Sequence, residues 1–155
     1  MNGPNKRITN FDTRVRTLTP TCDTLIYAAG DVIFDRTALS IGSDRVSRGK
    51  VKFVGLVDKD DTGVAMDIYL LKADVAFGTA NATPSITDAN AENIIGYVTV
   101  TPSKDLGGVD FGEVGCNIPF DITGSTLYVA AVTAGTPTYT ASGLFLTIVC
   151  EMEVG

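Results

Sequence analysis

The chain contains no histidine and no tryptophan. Without an imidazole it lacks the side chain that most often moves protons near neutral pH, so Ser-His-Asp and Cys-His machines are excluded. A conventional zinc hydrolase also loses its usual ligand set. Without an indole it lacks the ring best suited to stacking on a sugar. Cysteine is scarce: Cys22, Cys116 and Cys150 are far apart and form no C-x-x-C pair, which argues against a zinc ribbon or redox motif. Cys150 alternates in phase with Leu144, Leu146 and Ile148 and reads as a small buried hydrophobe. Three free thiols fit synthesis in a reducing cytoplasm. No apolar run reaches about 18 residues, so no membrane span is expected. The first residues hold no apolar stretch that would read as a secretory signal. No Walker loop occurs, and the glycines of 107–115 do not lead from a buried strand into a helix.

What is present is the composition of a β domain. The 155 residues are 45% hydrophobic, enough for one domain with a sizeable core. Val, Thr, Ile and Gly dominate, as in short strands joined by turns. The formal charge is −6 and unevenly spread. Lys6, Arg7, Arg14 and Arg16 face Asp12 alone in residues 1–20, whereas Lys104 is the only cation after Lys72. The acidic balance, with cations not interleaved with aromatics, points away from nucleic acid.

Residues 1–19 read as a flexible basic arm, its end extended, and 20–155 as a single β domain. Lys50–Asp58 has apolar residues on both faces and reads as a central strand. With Val64–Leu71 across the turn Asp58-Lys59-Asp60-Asp61-Thr62-Gly63 it predicts a long hairpin. Residues 35–49 read as a loop with one short strand around Arg45-Val46, residues 102–116 read as a long loop, and Thr87 or Asp88 caps a helical turn before Glu92. Ile94–Thr101, Ser125–Thr133 and Leu144–Glu153 read as strands, and Pro119 marks an edge or bulge. The expected fold is all-β: an antiparallel β-sandwich, jelly-roll-like, of about eight strands.

The turn at 58–63 matches the opening of a calcium loop, with Asp58, Asp60 and Thr62 as candidate ligands. The twelfth position is Tyr69 rather than Glu, and the flanks read as strands, so a soluble hairpin tip is the competing reading. Asp105, Asp110 and Glu113 share one Gly-rich loop and offer a carboxylate pair for glycoside hydrolysis, but any acidic chain offers such pairs. No enzyme and no cofactor are expected.

Several segments resemble small virion structural proteins of tailed bacteriophages, of the head decoration or cement kind. They are Thr13–Pro20, Ala29–Asp35, Val57–Gly63, Phe77–Ile86, Asp88–Gly96, Leu127–Ala131 and Ala141–Leu144, spread over residues 13–149. The resemblance implies a capsid-surface protein made in the host cytoplasm, with no catalytic residues. Its partner would be the major capsid protein, with no membrane partner. A homo-oligomer, such as a trimer at a local threefold, would suit such a lattice. Arg7, Arg14, Val15, Arg16 and Leu18 are the expected contacts, through strand addition to a capsid sheet. The alternative is a receptor- or glycan-binding module of a tail, neck or head fibre, using loops 105–115 and 134–143.

Overall fold

The computed structural model describes residues 10–42 and 46–154. Nine strands and one helical turn follow in order: β1 (Asn10–Leu18), β2 (Val32–Ser40), β3 (Val46–Asp58), β4 (Met66–Leu71), α1 (Asp88–Ala91), β5 (Ile94–Val100), β6 (Lys104–Asp105), β7 (Asp110–Thr123), β8 (Thr126–Thr133) and β9 (Leu144–Val154). They form two antiparallel sheets, β1-β9-β3-β7-β6 and β2-β8-β4-β5. The all-β sandwich expected from composition and periodicity is therefore what this chain adopts.

The pairing is nested. β1 pairs with β9, β2 with β8, β3 with β7 and β4 with β5, as in a long antiparallel ribbon folded back on itself. Inner-face residues of both sheets meet in one core, including Val54 and Leu56 of β3, Ile68 of β4, Val129 of β8, and Leu146 and Ile148 of β9. Cys22 and Cys150 are buried, and all three cysteines are free. A second apolar cluster lies where Phe77 packs with Val32, Leu71 and Ala130, with Val75 and Ile86 beside it. Tyr69 stacks there on Tyr97, ring centroids 5.4 Å apart. Asp35 holds this connection in place by accepting the Phe77 amide at 2.8 Å.

Four expectations change. β3 and β4 are not a hairpin: the chain crosses at 59–65 from the first sheet to the second, where β4 pairs with β5 and β8. Residues 10–18 are a sheet strand, in register with β9 from Asn10↔Val154 to Leu18↔Leu146, so only 1–9 of the expected arm lie outside the described residues. Most of the expected 102–116 loop is strand, because β7 begins at Asp110. Much of the 35–49 loop is strand too, as β2 runs to Ser40 through two irregularities.

β3 is central, as read from its two apolar faces, but a bulge between Val51 and Phe53 resets its phase. Val51, Val54 and Leu56 are buried, while Phe53 and Val57 are half-buried. Thr87 caps α1 by accepting the Asn90 amide. Pro119 lies on β7 opposite Lys50, beyond the reach of two-residue β6.

Candidate functional site

The end of the sandwich where β3 stops is built around Asp58, which is fully buried. Its Oδ1 accepts the Asp60 amide at 3.0 Å. Its Oδ2 accepts the Thr62 amide at 3.0 Å, the Thr62 hydroxyl at 2.6 Å and the Gly63 amide at 3.2 Å. One carboxylate thus gathers the donors of the whole D-K-D-D-T-G turn, which Asp and Thr favour by closing local side-chain-to-backbone bonds. The turn closes through left-handed residues, Asp61 at φ 57° and Gly63 at φ 62°. Asp60 faces away and accepts the Thr140 amide at 2.8 Å, tying the turn to the 134–143 loop.

Asp110 opens β7 directly opposite Asp58 in the register. It is only 6% exposed. Among the described residues no side chain or amide donates to its carboxylate. Instead Asp61 and Asp105 converge on it, one ligand oxygen from each of the three lying within 4.8 Å of the others. Burial pushes the Asp110 carboxyl up from its ordinary pKa, and the charges of Asp61, Asp58 and Asp105 push the same way. Asp105 is held by the tight β6–β7 turn, its Oδ1 accepting the Gly107 amide at 2.7 Å.

The opposite feature of interest is the edge strand β1, whose only sheet neighbour among the described residues is β9. Phe11 and Val15 stand on its outer face, 59% and 55% exposed. The inner face serves this chain: Leu18 packs against the core, Arg14 donates to Asp12 at 2.9 Å and to the Ile41 carbonyl, and Arg16 donates to the Ser40 carbonyl at 2.8 Å. Of the residues expected to bind a partner, Val15 is outward, while Arg14, Arg16 and Leu18 have partners within the chain. Arg7 lies outside the described residues.

The expected calcium set is not brought together as ligands. Asp58 is turned into its own loop, Asp60 is bound to Thr140, and the Thr62 hydroxyl donates to Asp58. Of the acids in the Gly-rich stretch, Asp105 and Asp110 converge, but Glu113 is exposed on the other face of β7. Nothing in the sequence singles out Asp61 from the other acids of its turn. Asp110 had a signal: it is in phase with Gly112, Val114, Cys116, Ile118 and Phe120, an acid at the head of an inward-facing series. No protein-family model matches the chain, and no curated protein shows significant similarity to it.

Proposed function

We propose that the chain is a non-enzymatic virion structural protein of the capsid-decoration type, docking on the outer surface of a phage head through the β1 edge and the basic segment that precedes it. The observation that carries this reading is the nine-residue β1, with one side unpaired among the described residues and exposed Phe11 and Val15 on its outer face. An unpaired edge is normally blunted, because it invites strand addition. An edge left open with apolar side chains beside it suits a partner strand, with main-chain hydrogen bonds for affinity and alternate side chains for specificity. The reading takes the sandwich to be jelly-roll-like, an architecture used in viral shells. Many weak contacts on a symmetric lattice would add up through avidity, and the acidic remainder keeps neighbouring copies apart.

The test is binding of the purified chain to undecorated heads. Phe11→Asp with Val15→Asp should lower head occupancy at least ~10-fold, as expected when anchors leave an interface, with an unchanged melting temperature. Deletion of residues 1–9 should weaken binding further. A chain that never binds heads, or a double variant that binds as well as the parent, overturns the proposal.

A second reading, a receptor- or glycan-binding module, is favoured by one observation. The 58–63 turn, the 105–110 turn and the loop bearing Thr140 share one end of the sandwich, where loops of β-sandwiches commonly bind. Saturable glycan binding lost on changing Leu106 or Thr138 would support it over the first.

A further inference from the structure

Among the described residues β1 has one sheet neighbour, β9, and it lacks the devices that normally blunt an edge. Its register with β9 runs without a bulge from Asn10 to Leu18. Its outer face carries Phe11, Thr13, Val15 and Thr17, all exposed and none charged. β2, one edge of the other sheet, differs: two irregularities break its register, and its Arg36 forms ion pairs with Asp35 and Asp74. The charges of β1 stand on the inner face, in the order Asp12, Arg14, Arg16. The side chains of Arg14 and Asp12 keep 26% and 47% of their surface exposed, within reach of a strand laid alongside.

We propose that β1 pairs antiparallel with β1 of a second copy of this chain, across a twofold axis at Thr13, joining two five-stranded sheets into one. A twofold perpendicular to the sheet sets outer face beside outer face, so it passes through a residue, and that residue fixes every pair. Like charges directly opposite one another are destabilising. An axis at Asp12, Arg14 or Arg16 sets that charge against its own copy, and an axis at Val15 sets Arg14 against Arg16. At Thr13 no like charges meet. Asp12 of each copy faces Arg14 of the other, Phe11 faces Val15 as an aromatic–β-branched pair, and Thr13 faces Thr13. The pairing covers residues 10–16 of each copy. One strand from each copy buries less than the roughly 1,200–2,000 Å² of stable complexes, so the dimer is weak and concentration-dependent. The inference uses the edge invoked for head docking but does not rest on that reading: a head strand and a second copy compete for the same hydrogen-bonding groups.

The experiment uses the full chain without heads. Sedimentation velocity over a concentration series should show a monomer–dimer equilibrium. Thr13→Lys sets two cations face to face on the axis and should raise the dimer Kd roughly fivefold or more. Asp12→Arg and Arg14→Asp should each weaken self-association, and mixing the two variants should restore it, because every 12–14 pair between copies is then of opposite sign. The mixture decides the matter should Thr13→Lys fail to fold. Under mild oxidation Thr13→Cys should cross-link two copies through residue 13, read by peptide mapping. Val15→Cys should not, since its two sulfurs would lie four residues out of register, roughly 13 Å apart. A parent that stays monomeric up to about 1 mM overturns the proposal. So does a dimer that forms no link through residue 13 and whose charge variants are not rescued by mixing. Head occupancy is a separate measurement, so either reading can fail while the other stands.

Discussion

Asp58 and Asp110 face each other across the β3–β7 ladder, both buried, and only Asp58 is supplied with hydrogen-bond donors. Two acids at directly opposed positions would ordinarily repel. The amides of its own turn supply Asp58 with hydrogen bonds, while Asp110 lies beside Asp61 and Asp105.

Removing Asp58 should be costly. Asp58→Ala leaves three amides and the Thr62 hydroxyl without their acceptor inside the sandwich end. Bonds to a charged acceptor contribute about 1.5–3 kcal/mol each and are not additive, so a loss of ~3–5 kcal/mol is expected. Urea denaturation measures it. A loss under about 1 kcal/mol would mean that the turn finds other acceptors.

Tyr139 tests the opposite case. Its hydroxyl is buried with no hydrogen-bond partner among the described residues, while its ring packs edge-on to Tyr27 with centroids 5.8 Å apart. Tyr139→Phe keeps the ring and deletes the orphan group, so stability should stay level or rise by about 1 kcal/mol. A clear destabilisation in the same urea assay would show that the hydroxyl is bonded in solution.

Thiol chemistry should separate the three cysteines. Burial pushes the Cys22 thiol up to about 12, with Asp60 and Asp58 adding to it, and burial pushes Cys150 up to about 11. Cys116 is only half-buried, its thiol donating to the Val51 carbonyl at 3.3 Å. In mildly alkaline buffer a thiol reagent should modify Cys116 first and reach Cys22 and Cys150 only on unfolding. Peptide mapping by mass spectrometry reads the order, and early labelling of Cys22 would contradict its burial.

Acid should release the connection that covers the second sheet. Burial alone would raise the Asp35 carboxyl, but the Phe77 amide, its neighbour's amide, the Arg36 charge and the Gly78 amide outweigh it and hold the pKa below the ordinary value. The folded state therefore binds the proton less readily than the unfolded chain. Stability from Asp35 is fully present above the unfolded value of about 3.9 and is lost as pH falls through the lower folded one. Asp35→Asn should be less stable than the parent near neutrality, and the gap should close below about pH 4. A gap unchanged between neutral and acid pH would remove Asp35 as the source.

Strands with clean alternation were legible in the sequence. Those of β8 and β9 match to within a residue because each is a run of strand-forming residues bounded by turn residues, with no bulge to interrupt it. The β3–β4 junction misled because a short Asp-Gly turn between two alternating strands is also the pattern of a hairpin. What decides the pairing is β8 and β5 arriving from far along the chain. The start of β7 was hidden by glycine. Gly112 reads as loop, yet a Cβ there would collide with the Thr101 carbonyl, a demand set by a neighbouring backbone. Asp61 and Asp105 could not be joined from sequence for the same reason: their meeting depends on which strands lie side by side.

The Asn10↔Val154 pairing places entry and exit of the described chain at one corner. Leu144, at the other end of β9, pairs with Asp58. Ten steps of extended backbone separate the two, roughly 33 Å. The chain enters at Asn10 and leaves at Val154 side by side, away from the end of the sandwich that holds Asp58 and Asp110. A linker across that corner would convert the chain to a circle without spanning the molecule, and new ends could then be opened elsewhere.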